Sequence, residues 1–144
     1  MRLRSVVGSV VTMAVVNLAC GSGPEAAPSE TRIAWADSLQ SAQAKAASER
    51  KLVMIEFYAS WCGWCKKLES RTLADERVVR ALAAVVPVRL DAERGGRGDA
   101  DRMRVRGFPV IVFLTADGRE VGRISGYLDA EHFLNELSSI LGRQ

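Results

Sequence analysis

Apolar residues along this chain fall into short blocks of two rhythms. Leu52 to Ala59, Val85 to Asp91 and Val110 to Leu114 are compact, nearly unbroken apolar runs of strand length, the pattern of strands covered on both faces. Between them lie segments with helical character. Ala34 to Arg50 is rich in Ala, Gln, Lys and Glu, which predicts a helix. A second helix should start at or near Cys62 and carry Lys66, Lys67, Leu68 and Glu69, and Asp75 should cap a third that runs to Ala84. Asp99 to Val105 reads as another short helix. Asp117-Gly118 predicts a hairpin turn between Val110–Leu114 and a strand over Glu120–Ser125. Asp129 should then cap a last helix that keeps Phe133, Leu134, Leu137, Ile140 and Leu141 on one face. Strand and helix signals that alternate from Ile33 onward imply an α/β layer structure, and no internal repeat is visible.

The first residues follow a different logic. Met1 to Ser5 carries two arginines, Val6 to Ala19 is almost uninterruptedly apolar, and the chain turns polar at Gly21-Ser22-Gly23-Pro24. This order is that of a secretory signal peptide, and the apolar part is too short to span a bilayer comfortably. Cys20, behind Leu18-Ala19 and ahead of Gly21, resembles the lipidated cysteine of bacterial lipoproteins, although Asn17 stands where those carry an aliphatic residue. An ordinary signal peptide cleaved nearby is the alternative, leaving Cys20 as an odd thiol or removing it. Residues 20–32 lack apolar periodicity and read as a flexible tether. The expected division is a signal segment at 1–19, a lipid-anchored tether at 20–32 and a folded domain at 33–144. Such a protein works outside the cytoplasm, in the periplasm or cell envelope, held to a membrane by the lipid.

Composition narrows the function. The chain is 48% hydrophobic and 26% charged, as for one soluble globular domain. Its net charge is +3, and without Arg2 and Arg4 it has 18 basic against 17 acidic residues, a net of +1. No basic run interleaved with aromatics appears in the folded part, so nucleic acid is not an expected partner. The cluster Gly95-Gly96-Arg97-Gly98 lacks both the Lys-Ser/Thr ending of a P-loop and the spacing of a dinucleotide-binding turn, and reads as a solvated loop.

The chemistry lies in Cys62-Gly63-Trp64-Cys65. Residues three apart on a helix share a face, with Cα atoms about 5 to 6 Å apart, inside the range of a disulfide. The first cysteine sits where unsatisfied backbone N–H groups and the helix dipole favour an anion, so its thiol should fall from about 8.5 into the range of about 3.5 to 7.5. Lys66 and Lys67 add positive potential one turn on. Cys62 is thus the expected nucleophile. Cys65, expected to be more buried and less acidic, would attack the mixed disulfide and release the reduced partner. That step needs a proton acceptor. Glu56 is the candidate, since a carboxylate inside an apolar strand is costly without a role or a partner; the alternative is a side chain turned to solvent from a half-exposed strand.

The run Val53-Met54-Ile55-Glu56-Phe57-Tyr58-Ala59-Ser60-Trp61-Cys62-Gly63-Trp64-Cys65-Lys66 resembles thioredoxin-family sequences. The nearest likeness is to the C-terminal domain of bacterial thiol:disulfide interchange proteins and to small secreted Cys-Gly-Trp-Cys lipoproteins, shared through Cys65-Lys66-Lys67-Leu68-Glu69, Thr72-Leu73-Ala74-Asp75 and Val78. Glu56 replaces the family's more common Asp, and Gly63-Trp64 is the usual dipeptide of neither the strongly reducing nor the strongly oxidising members. The resemblance implies a thioredoxin-like fold, a central mixed sheet flanked by helices. It also implies a cis peptide at Pro109 facing the disulfide, and a family glycine at Gly126. Trp61, Gly63, Trp64 and Phe108 would then form the substrate-binding rim. The implied activity is thiol:disulfide exchange, with protein thiols and disulfides as partners, a membrane thiol carrier as electron donor, a monomeric chain, and no cofactor beyond the Cys62–Cys65 pair.

Three other readings stay open. A structural disulfide is disfavoured because a bridge across one helical turn restrains little unfolded chain. A metal site is short of ligands, since only Cys62, Cys65, Cys20 and His132 are available and structural zinc wants four, yet transient handover by the two thiols fits the pair. A peptide-binding module without turnover would use the same aromatic rim. Direction is also open: the nearest likeness favours a reductase, and oxidase or isomerase chemistry uses the same residues.

Overall fold

The computed structural model describes residues 32–143. The signal segment, Cys20 and the tether up to residue 31 lie outside the described residues. The order of elements is α1 (Leu39–Glu49), β1 (Leu52–Tyr58), α2 (Gly63–Lys67), a π-helical turn (Leu68–Thr72), α3 (Glu76–Ala81), a 3₁₀ turn (Leu82–Ala84), β2 (Val85–Asp91), α4 (Arg97–Arg102), β3 (Val110–Leu114), β4 (Glu120–Ser125) and α5 (Ala130–Leu141). The strands form one sheet in the order β2-β1-β3-β4; β1 and β2 run parallel, and β3 is antiparallel to both β1 and β4. This is the thioredoxin-like α/β fold, a mixed sheet flanked by helices, as the sequence pattern and the resemblance imply.

The period-two alternation of β1 gives the sheet its two covered faces. Val53, Ile55 and Phe57 pack with Ala42 and Ala46 of α1 and Ala100 of α4. Leu52 and Met54 point the other way, into a cluster with Leu68, Val78, Phe133, Leu137 and Ile140. Glu56 shares the parity of Leu52 and Met54, so it faces the layer built by the active-site helix and α5. β1 and β3 are buried throughout except for the half-buried Tyr58, which is why both read as continuous apolar runs.

The caps act where expected. The Asp75 side chain accepts from Arg77 N–H at the start of α3, and Asp129 from His132 N–H at the start of α5. In the β3–β4 hairpin, Gly118 has φ +93°, a conformation open to glycine without a side-chain penalty.

Four boundaries differ from expectation, one of them the end of α3 at Ala81, with a 3₁₀ turn completing the stretch to Ala84. α1 begins at Leu39 rather than Ala34, because Ala36 bridges in parallel to Val88, its N–H donating to Pro87 O at 2.8 Å, and Ser38 then caps the helix. Tertiary pairing thus overrides the helix-favouring composition of residues 34–37. α4 covers Arg97–Arg102 rather than 99–105, starting within the glycine cluster. The active-site helix relaxes into the π-helical turn, where Leu73 N–H donates to Leu68 O at 2.9 Å; buried Thr72 in that turn donates through Oγ1 to Leu128 O at 2.5 Å. Such turns frequently occur beside functional sites.

Candidate active site

β1 ends at Tyr58, and the chain turns through Ala59–Trp61 to bring Cys62 to the N-cap of α2. Cys62 and Cys65 form a disulfide with Cα atoms 5.3 Å apart, and the backbone N–H of Cys65 donates to Cys62 Sγ at 3.1 Å. The leading sulfur therefore lies against an unsatisfied donor of the first helical turn. Both cysteines are nearly closed off, Cys62 4% exposed and Cys65 2%, with Ala59, Tyr58 and Phe108 packed around them. Position at the cap sets Cys62 apart more than this small difference in depth.

Phe108-Pro109 is a cis peptide, and Pro109 O accepts from Gly126 N–H at 2.9 Å. Gly126 has φ +86°, so a side chain there would be strained; the glycine lets the chain turn from β4 back to the proline loop. Phe108 packs against the cysteine cluster and meets the Trp61 ring edge-on at a centroid distance of 6.2 Å.

The rim is aromatic and open. Trp61 and Trp64 are 65% and 57% exposed. Trp61 Nε1 donates to Glu93 Oε2 at 2.8 Å, which fixes the indole although most of it is exposed. Trp64 lies 5.6 Å from Tyr127, and Lys67 Nζ sits over both rings at 4.7 and 4.6 Å, within cation–π reach. Trp64, Phe108, Pro109, Gly126 and Tyr127 line a cleft of about 300 Å³. Gly63 lies between the cysteines with open space around it.

Beneath the active-site helix the chemistry changes. Glu56 is wholly buried, which removes the reading of a side chain turned to solvent. Its register partner on β2 is Arg89, whose Nε lies 2.8 Å from Glu56 Oε2 but off the line of a hydrogen bond. Arg89 is engaged elsewhere. Its two terminal nitrogens donate to Glu69 at 3.0 and 3.4 Å, and its guanidinium stacks over Tyr58 at 4.6 Å and Trp35 at 5.5 Å. Burial pushes the Glu56 carboxyl up to about 7; Arg89 opposes the shift and the negative Glu69 adds to it.

Arg89 was legible in principle, as a charge inside the apolar run Val85–Leu90, by the argument that singles out Glu56. Glu93 and Tyr127 carry no local signal, since only tertiary folding brings them to the rim. His132 is exposed on α5 and pairs with Asp129 at 2.9 Å, at the start of the last helix. Among the described residues no group of three or more His, Cys, Asp or Glu is placed to hold a metal.

Comparison with known proteins follows this geometry. The family model for thioredoxin-like domains matches residues 39–140. The chain belongs to the thioredoxin-like family. Among curated relatives it is 38% identical over 116 residues to the thiol:disulfide interchange protein DsbD of Cronobacter sakazakii, and 36% identical over 113 residues to that of Vibrio cholerae. These matches take in 77% and 75% of this chain but 20% and 19% of the relatives, so the chain spans about a fifth of their length. Among solved structures, a Thermus thermophilus thioredoxin is similar at 32% identity and a TM-score of 0.64, covering 69% of this chain and 81% of that one. The oxidised C-terminal domain of Neisseria meningitidis DsbD shares the fold at 24% identity and a TM-score of 0.60, covering 73% of this chain and 97% of that domain.

Proposed function

We propose that the chain is an extracytoplasmic thiol:disulfide oxidoreductase that reduces protein disulfides, with Cys62 as nucleophile. The observation that carries this reading is the closed Cys62–Cys65 bridge at a helix cap, with Cys65 N–H aimed at Cys62 Sγ and the cis-Pro109 loop beside it. In the dithiol form, the cap donor and the start of the helix favour a thiolate on Cys62. That thiolate attacks one sulfur of a client disulfide, a Cys62–client bond forms, and the other client sulfur leaves as a thiolate. Cys65 then gives its proton to Glu56 and attacks Cys62 Sγ, expelling the second client sulfur. The client gains two electrons, the protein ends as the Cys62–Cys65 disulfide, and a dithiol donor must reduce it again. A Glu56 carboxyl that titrates near neutrality is matched to taking up and releasing that proton.

The compartment, the lipid on Cys20, a membrane thiol carrier as donor and the reducing direction rest on the sequence pattern and on the likeness to interchange proteins. Among the described residues no helix is long and apolar enough to cross a membrane, so on this reading attachment falls to the N-terminal segment. Insulin reduction with a dithiol donor tests the activity. Cys62→Ser is expected to lower turnover at least about a thousandfold, and an equally active serine variant would remove the mechanism. Equilibration with glutathione buffers tests the direction: a potential near the oxidising end of the range, about −120 mV, contradicts a reductase.

A further inference from the structure

The loop that carries Pro109 has two flanks, and only one is apolar. On the side away from Trp64, a cleft of about 460 Å³ is lined by Arg104, Arg106, Arg123 and Ser125, and it shares Phe108, Pro109 and Gly126 with the aromatic cleft. No acidic side chain lines it. The three arginines are exposed but differ in state. Arg123 is neutralised by a two-pronged pair with Glu120, both bonds at 2.6 Å, and also donates to Met103 O, which ties the loop to β4. Arg104 and Arg106 have no salt bridge among the described residues; the same is true of Arg32, Arg50, Arg71, Arg97, Arg119 and Arg143, but only these two stand together on the cleft beside Pro109. Gly107 and Gly126, which line the cleft beside these arginines, have open space where a side chain would stand.

We infer that this cleft is a docking subsite for a carboxylate side chain of the client, within a few residues of its reactive cysteine. The inference rests on the exchange function proposed above and adds a substrate class to it: extended, acidic polypeptide segments. An extended segment laid over Phe108 and Pro109 to present a sulfur to Cys62 passes between two clefts of opposite character. One accepts an apolar side chain against Trp64 and Tyr127. The other offers two uncompensated guanidinium groups, which recognise carboxylates in a planar, two-pronged geometry. The chain is otherwise close to neutral once the two leader arginines are discounted, so this positive charge is local and acts on partner choice rather than as a general polyanion surface.

The test uses the full chain with disulfide-linked cysteine peptides whose flanking positions carry Glu, Gln or Lys, and neutral hydroxyethyl disulfide as the reference for turnover. At low salt the Glu peptide should react about tenfold faster than the Gln peptide, relative to the reference, and the Lys peptide slower still. The advantage should shrink in 0.5 M salt and vanish in Arg104→Gln/Arg106→Gln. Equal rates for all three peptides, or a preference that survives the double substitution, overturn the subsite. Failure to turn over hydroxyethyl disulfide contradicts the proposed function instead. In that event the anisotropy of labelled serine-for-cysteine peptides on the oxidised protein still decides docking. Arginine-dependent binding to phosphatidylglycerol vesicles without discrimination among peptides would assign the cleft to a membrane surface and overturn the proposal.

Discussion

The floor and the rim of the disulfide are built from opposite materials. Below the active-site helix, Glu56 is fully buried against Arg89, which in turn reaches Glu69 and stacks on Tyr58 and Trp35. Above it, Trp61 and Trp64 stand in solvent, with Tyr127 and Lys67 alongside. The floor is a low-dielectric place in which one proton is expensive to remove, and charge there changes titration more than recognition. The aromatic rim is a high-dielectric place in which area and shape carry most of the contact, and charge selection is left to the arginine flank of Pro109. On the proposed mechanism the two sulfurs, one helical turn apart, draw on both, and proton handling is separate from the choice of client.

Substitutions in each region should break this separation in a characteristic way, and the floor should respond most. Glu56→Gln removes the proposed proton acceptor and should slow release of the mixed disulfide by about a hundredfold at neutral pH, with loss of an inflection near pH 7. Trapping of the mixed disulfide by rapid acid quench measures it. The same variant makes a stability prediction with a definite sign. The carboxyl is raised in the folded state, so below about pH 4.5 it is protonated in both states and carries no penalty. As pH rises to about 7 the unfolded chain releases that proton first, and the wild type loses about 3 kcal/mol relative to Glu56→Gln. Denaturant melts at pH 4.5 and pH 8 check this, and a pH-independent difference would mean that Glu56 titrates normally.

Arg89→Met should have a smaller effect on rate but a diagnostic one. Because Arg89 holds the Glu56 carboxyl down, its loss should move the inflection of the release step upward by about one pH unit. A purely structural role would lower stability and leave the inflection in place. At the rim, Trp64→Ala should raise KM for a protein client about five- to tenfold without moving any pH inflection. If it moves the inflection, floor and rim are coupled and the separation fails.

Much of this architecture was written in local pattern. The apolar blocks at 52–59, 85–91 and 110–114, the Asp117-Gly118 turn and the one-faced helix after Asp129 form where periodicity and capping place them, the first strand stopping one residue early at Tyr58. Those signals are strong because buried strands must be apolar and helix ends must satisfy free N–H groups. The start of α1 was misplaced for the complementary reason. Ala34–Asp37 has no intrinsic objection to a helix, and only the edge of β2, distant in sequence, offers Ala36 the bridge that holds it extended. The π-helical turn is equally silent in sequence, since its altered hydrogen bonding goes with the anchoring of Thr72 to Leu128 across the fold.

The site divides along the same line. Sequence alone determined the reactive pair, because two cysteines three apart at a strand-to-helix junction share a helix face wherever the rest of the chain goes. It also marked Glu56 as anomalous, because a charge inside an apolar strand is costly in any fold. Tertiary structure decided what surrounds them: Arg89 beside Glu56 through the β1–β2 register, Tyr127 beside Trp64, and Arg104 and Arg106 on the far flank of Pro109. Local sequence controls backbone conformation over a few residues. Environment is set by long-range pairing, and it is environment that moves a carboxyl toward neutrality.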